Sequence, residues 1–347
     1  MEKLIDYLQT GFVAFVHHFL SVSVFLILAA WSSAVVGAAI YYVWQHKDSN
    51  KSFSGFVRYS LPKEIWLSKS SKQDMIFVVI NYFTEPLTVV PFAFVTGAVT
   101  LTVYTFFEQW FGVQTPGPIT WWLGIMLFLL IILVQDFMTW WTHYMEHKVP
   151  ILWEIHKVHH SLPVMTPLSN RRHHPWQLVW EGGTSNLVTG IMLGSLSYLF
   201  NVPILSTSFM GMDAYFLASV LSFYQLRHSH IKLHYGPLEK WFLSPAQHQL
   251  HHSFETRDWD RNFSLLLSIW DRMFGTINYV YSEPEYKYRI GLPPQYMSDY
   301  DSVWKFFFIP FINSGKIVWR WVKLRLPNGS RRSIKVASSP RVVEPTH

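Results

Sequence analysis

Of the 347 residues, half are hydrophobic, 18% aromatic and only 14% charged; soluble domains carry roughly 25% charged residues, so this composition points to a membrane protein. The absence of cysteine excludes disulfides, iron–sulfur clusters, thiolate zinc sites and a cysteine nucleophile. A net charge of +6 suits either nucleic acid or an anionic membrane surface; its placement along the chain favours the membrane and leaves no nucleic-acid partner.

Five stretches approach the ~20 apolar residues that cross a bilayer: 19–43, 86–107, 120–142, 178–200 and 203–226. His17 and His18 precede the first and read as interfacial. No small-residue cleavage site follows that first run, so it reads as an anchor and not as a cleavable signal. Residues 75–84 are expected in the membrane interface, with Glu85-Pro86 opening the second span. The third span, "WWLGIMLFLLIILVQDFMTWW", leads directly into a histidine pair. The last two are less apolar and read as a helical hairpin entering the membrane, whether or not it crosses.

Placing 44–85, 143–177 and 227–347 on one side gathers 27 of the 28 lysines and arginines there, leaving only Lys3 opposite. The positive-inside rule makes that side cytoplasmic, even with the long last segment discounted. Residues 277–303 lack periodicity. Residues 303–326 mix aromatics with Lys and Arg, as helices lying on anionic headgroups do. From Asn328 onward the chain reads as a disordered basic tail. The expected fold is an all-α integral membrane protein, with about four to five membrane helices and a cytoplasmic helical cap holding a histidine-rich di-metal site. Its expected parts are an N-terminal membrane region (1–119), a catalytic domain (120–276) and a C-terminal segment (277–347).

The strings "HKVHHS" at 156–161 and "HQLHHS" at 248–253 repeat one pattern, and chance does not supply two copies at this histidine density. "HYMEH" adds His143 and His147. Positions i, i+3 and i+4 share one helical face, so each string is expected to offer its nitrogens to one region. A lone histidine near a membrane is more often interfacial or hydrogen-bonded than a ligand. Eight in spaced strings are costly to desolvate unless something accepts their lone pairs, and a metal does so. One first-row ion takes about four to six ligands, so the set suits two. Nearby carboxylates are few. Glu146, between two ligand positions, is expected to face solvent, and Trp140 and Trp141 read as an interfacial belt.

With "DFMTWWTHYMEH", "RRHHP", "RHSHIKLHYGPLEKWFLSPAQHQLHHS" and "NFSLLLSIWDRMFGT", these strings resemble the fatty acid hydroxylase superfamily over roughly 120–276. This is the group of integral-membrane, non-haem di-iron enzymes that includes sterol desaturases, sterol methyl oxidases and alkylglycerol monooxygenases. The resemblance implies O2-dependent hydroxylation or desaturation of a C–H bond in a membrane lipid such as a fatty acyl chain, a sterol or an ether lipid. It also implies two iron ions and electrons from a separate donor protein or reductant, because the chain contains no haem module and no dinucleotide-binding turn. The implied metal ligands are His143, His147, His156, His159, His160, His248, His251 and His252, with His228 of His228-Ser229-His230 as a ninth.

Asp136, seven residues before His143, matches the family's aspartate and is expected to orient an imidazole. His174 of Arg172-His173-His174-Pro175 is a further catalytic candidate. Gln177, Tyr144 and His230 stand where the family usually has Glu, Arg and Asn. Asp271 is expected to support a loop or a ligand histidine, and His234 is a weaker ligand candidate. Two rival readings remain: a zinc-dependent membrane hydrolase or isomerase, and a non-catalytic metal transporter or sensor. The transporter reading predicts ionisable residues along the spans, whereas these histidines gather at one end of them.

Overall fold

A computed structural model describes residues 28–46, 51–115, 117–203, 217–283 and 285–325. His17, His18, most of the stretch 203–226 and the tail beyond Arg325 lie outside the described residues. The helices in chain order are α1 (28–45), α2 (Phe53–Ser60), α3 (Lys63–Trp66), α4 (Lys69–Phe111), α5 (Trp121–Lys148), α6 (Pro150–His160) and α7 (Pro175–Leu199). They continue with α8 (217–221), α9 (Pro245–His251), α10 (Ile269–Met273), α11 (Pro294–Met297) and α12 (Val303–Arg325). Among the described residues there is no strand beyond two isolated bridges, Phe242–Leu267 and Ser253–Ile290.

Helix α4 starts at Ser68, whose hydroxyl accepts the Ser71 N–H, and runs unbroken for 43 residues. The interfacial segment 75–84 and the span 86–107 expected to follow it are therefore one rod, about 64 Å long. That is roughly twice the ~30 Å hydrocarbon core of a bilayer. Pro86 and Pro91 sit inside it, although an internal proline costs about 3 kcal/mol. Packing outweighs that cost. Helix α7 runs parallel to α4 and presents a stripe of residues four apart: Gly182, Asn186, Gly190, Gly194 and Tyr198. Gly182 faces Phe92, Asn186 accepts from Thr96 Oγ1 at 2.6 Å, Gly190 faces Val99, and Gly194 meets the Thr100 backbone. Tyr198 closes the row against Tyr104 and Phe107. Small residues at that spacing let two helix backbones approach closely.

Helix α5 covers the other side of α7 through Leu127, Ile131, Leu193 and Leu196, all buried. Among the described residues α5 alone is long and apolar enough to cross a membrane by length and composition. Of the other expected spans, 178–200 is helical but broken up by Glu181, Asn186 and its glycines, and the last ends in turns from Ser222 onward.

The turn Val149-Pro150 folds α6 back against α5, with Pro150 at the first helical position, where its missing N–H costs nothing. Arg172, 1% exposed, ties this end together. It pairs with Asp74 of α4 at 2.6 Å, donates to the Ser161 carbonyl after α6, and donates to the Ser70 carbonyl. Helix α12 lays its first half over α6 and α4, burying Phe306 against Phe77 and Val158.

Candidate metal centre

Four elements converge at the C-terminal end of α5. Its last turns carry His143 and His147, α6 carries His156, His159 and His160, and the turn after α8 carries His228. Helix α9, opened by a reciprocal Ser244–Gln247 capping box, carries His248 and His251 and ends on His252. These nine imidazoles fall into two groups: His143, His147, His156, His160 and His251, and His159, His228, His248 and His252. Within each group the candidate ligand nitrogens lie within 4.8 Å of one another. His143 and His147 are half-buried and the other seven are buried.

Both repeated strings are divided between the groups, contrary to the expectation that one string serves one region, while His143 and His147 stay together. The i and i+4 members stay together, while the i+3 member goes to the other group. His156 and His160 sit with the five and His159 with the four; His248 and His252 sit with the four and His251 with the five. At 100° per residue, i+3 and i+4 lie on opposite sides of i, so a helix wedged between two sites feeds both.

The donor set fits metal ions. Facing Nε2 atoms stand 3.1 Å apart in His156–His160 and His160–His251, and 3.1, 2.9 and 3.2 Å apart in His159–His228, His228–His252 and His248–His252. A metal–nitrogen bond of about 2.0–2.1 Å spaces neighbouring ligand nitrogens about 3 Å apart. The Nε2 atoms of His143 and His147 are buried without a hydrogen-bond partner. Burial pushes the His156 imidazole down to about 4 and the His251 imidazole down to about 3. Both are neutral near pH 7, the form that binds metal.

Oxygen partners sit behind the five-imidazole group. His143 Nδ1 donates to the Phe263 carbonyl at 2.8 Å and His251 Nδ1 to the Arg261 carbonyl at 2.6 Å. Asp260 Oδ1 lies 3.3 Å from His147 Nδ1. Glu146 Oε2 lies 2.8 Å from His156 Nδ1 without making a hydrogen bond to it. Glu146 is 1% exposed, which overturns its expected solvent-facing position. Gln177 Nε2 bridges it to Glu181, at 3.3 and 2.8 Å.

Asp136 touches no imidazole: its carboxylate accepts the N–H groups of Leu266 and Leu267 and the Trp270 indole N–H. It sits two turns from His143 on α5, facing the loop 261–270 and not the metal groups. His174 lies outside both groups. It caps α7 by accepting the Trp176 N–H, and its Nε2 donates to the Phe307 carbonyl. Its neighbour His173, not singled out in the sequence, stacks edge-on to His159 with ring centroids 4.4 Å apart. Doubled histidines in "RRHHP" were the available signal, and chain direction at the α7 cap decides which one turns inward.

His230 donates to the Tyr59 carbonyl at 2.6 Å, and His234 accepts the Gly236 N–H, so neither joins a group. Trp140 is fully buried with its N–H on Asp271 at 3.1 Å, which removes it from the expected belt; Trp141 is 37% exposed. Asp271 supports the loop, accepting the N–H groups of Phe263 and Ser264.

Comparison with known proteins gives a consistent picture. The fatty acid hydroxylase family model matches residues 128–276. Alkylglycerol monooxygenase of Xenopus tropicalis is 31% identical over 46% of this chain, ornithine lipid hydroxylase of Rhizobium tropici 25% over 43%, and human cholesterol 25-hydroxylase 27% over 44%. The matched stretches span 31%, 41% and 50% of those relatives' own lengths. No solved structure matches significantly. All nine grouped imidazoles lie inside the matched stretch, so the residues the structure gathers fall within a segment similar to the fatty acid hydroxylase family.

Proposed function

We propose that the protein is a membrane-bound di-iron oxygenase that hydroxylates, or desaturates, a C–H bond of a membrane lipid. The observation that carries this reading is the pairing of two adjacent imidazole groups with a domain whose relatives are lipid hydroxylases and monooxygenases. His143, His147, His156, His160 and His251 would hold one ion, and His159, His228, His248 and His252 the other. Bound iron would supply redox chemistry able to activate O2 against an unactivated C–H bond.

The chain's own part is positional. Phe263 and Arg261 carbonyls fix the Nδ1–H tautomers of His143 and His251 and turn their Nε2 atoms inward. Glu146 holds His156 from behind, and burial of seven of the nine imidazoles keeps bulk water off the centre. An imidazole-only donor set suits zinc as well as iron, so the zinc-enzyme reading stands as the alternative.

The site is proposed to face the cytoplasm, with a multi-pass membrane region holding the lipid and a separate donor supplying electrons. Helix α12 supports a membrane-surface placement. Residues 318–325 are all exposed and interleave Trp319 and Trp321 with Arg320, Lys323 and Arg325, the composition of an anionic interface helix.

Lipid extracts from a deletion strain and a complemented strain, compared by mass spectrometry, test the activity. The expected result is a +16 product or the loss of two hydrogens, dependent on O2 and iron, with close to two metal ions per chain. His159→Ala and His251→Ala should each lower metal content and abolish turnover while membrane insertion persists. Turnover with zinc in the absence of O2 would replace this reading with the hydrolytic one.

A further inference from the structure

Segment 260–271 contributes no imidazole, yet three of its groups face one metal group. The Phe263 and Arg261 carbonyls accept from His143 and His251, and the Asp260 carboxylate stands beside His147. The four-imidazole group receives nothing from this segment. There, His228 Nδ1 meets Asn170 Oδ1, and the Nδ1 atoms of His159, His248 and His252 have no hydrogen-bond partner among the described residues.

Regular secondary structure does not hold the start of the segment in shape. Asp260 and Asn262 both adopt left-handed backbone, at φ 58° and 59°. Two buried carboxylates pin the residues from Phe263 to Leu267. Asp271 accepts the N–H groups of Phe263 and Ser264, each at 3.0 Å, and is itself held by Thr276 Oγ1 at 2.6 Å and the Trp140 indole N–H at 3.1 Å. Asp136 accepts the N–H groups of Leu266 at 2.8 Å and Leu267 at 3.0 Å. Asn262 closes the near end, donating to the Gln247 carbonyl on α9 at 3.1 Å. Phe263 is thus anchored through its N–H on Asp271 while its carbonyl faces His143.

We infer that segment 260–271, clamped by Asp271 and Asp136, is a positioning element for the five-imidazole site alone, so that the two sites hold their metal ions with unequal strength. The inference rests on the two-metal reading above. An imidazole whose Nδ1–H is fixed on an oxygen presents an aimed and more basic Nε2, and losing such a partner costs about 10–100-fold in metal affinity. Two of the five imidazoles, His143 and His251, have that support from this segment, and the Asp260 carboxylate stands 3.3 Å from the Nδ1 of a third, His147. Asp136 and Asp271 are therefore positioning residues, acting through a loop backbone.

The test uses full-length protein in detergent, stripped with a chelator and titrated with Co(II), whose visible absorption reports nitrogen coordination. Wild type is expected to fill in two steps, the tighter one abolished by His147→Ala and the weaker one by His248→Ala. Asp271→Asn sets an amide N–H2 against the loop donors and should weaken the tighter step at least tenfold while leaving the weaker step unchanged. The untouched step is the folding control, since a general structural defect would move both. Asp260→Asn, at a half-buried position where Asn tolerates left-handed backbone, repeats the test without touching the core, and a smaller weakening of the same step is expected. Equal weakening of both steps by Asp260→Asn, or weakening confined to the step that His248→Ala abolishes, would overturn the inference. Uptake of a single ion by wild type would instead remove the two-metal reading on which it stands.

Discussion

Glu146 lies between two imidazoles in sequence and touches a third in space. Its carboxylate stands against His156 and is bridged by Gln177 to Glu181, in a pocket with almost no solvent access. A helical wheel puts it off the His143–His147 face. It becomes buried because α6 folds back over a second side of α5, a fact of the 149–150 turn and not of α5 itself. Glu146→Gln keeps the shape and replaces the carboxyl with an amide. Metal affinity should fall about 10–100-fold with insertion unchanged, and unaltered metal content on elemental analysis would make the contact with His156 idle. His228 and His230 offer a sharper contrast. His228 Nε2 stands 3.1 and 2.9 Å from those of His159 and His252, whereas His230 reaches only the Tyr59 carbonyl. His228→Ala should be inactive and metal-depleted, and His230→Asn should keep measurable turnover. The reverse outcome in a paired activity and metal assay would shift the ninth ligand to the His230–His234 turn.

At the scale of elements, the decisive contact is the parallel seam of α4 and α7. A Cβ at Gly194 would lie 2.5 Å from the Thr100 carbonyl oxygen, a backbone atom that cannot move aside cheaply. Gly194→Ala should therefore destabilise by about 1–3 kcal/mol, the usual overpacking cost. Gly315, inside α12, has nothing within 4 Å of its virtual Cβ. Gly315→Ala should be neutral or stabilising by up to about 1 kcal/mol, because alanine restricts the unfolded chain and favours helix. Thermal melts of the two variants in the same detergent check the pair, and an equal loss for both would mean that the seam is not close-packed. The seam also explains why α4 and α7 are hard to read from sequence. Pro86 reads locally as a helix boundary, and the Gly and Asn of α7 read as weak apolarity. They make one continuous rod and its fitted partner because each supplies what the other lacks.

For the molecule as a whole, the charge asymmetry predicts a topology that the helices alone do not decide. Reporter fusions after Lys51, Arg171 and Arg331 should report the cytoplasm, and one near Gln114, just past the end of α4, should report the opposite side. A cytoplasmic signal from Gln114 would mean that α4 and α5 do not each cross, and the cytoplasmic placement of the site would fall with it. α4 is about twice as long as a bilayer core is thick, so its first turns, including Asp74, are expected to stand out of the membrane beside the metal groups.

Read alone, the sequence made the helical class legible and singled out the nine imidazoles that the structure gathers into two groups, and it raised the expectation of a membrane protein, because composition, periodicity and repeated spacing are local properties of the chain. Asp271 as a loop support was legible for the same reason, within a short motif. Tertiary structure decided how the imidazoles divide. Spacing shows that His156, His159 and His160 share a helix, but only the tertiary placement of α5 and the His228 turn, which each feed one group while α9 feeds both, sends His159 one way and its neighbours the other. Asp136 shows the same limit: its distance from His143 suggested an imidazole partner, and the packing of segment 260–271 against α5 gave it backbone amides instead. A carboxylate takes whichever donors the fold brings within about 3 Å, and those donors lie some 130 residues away along the chain.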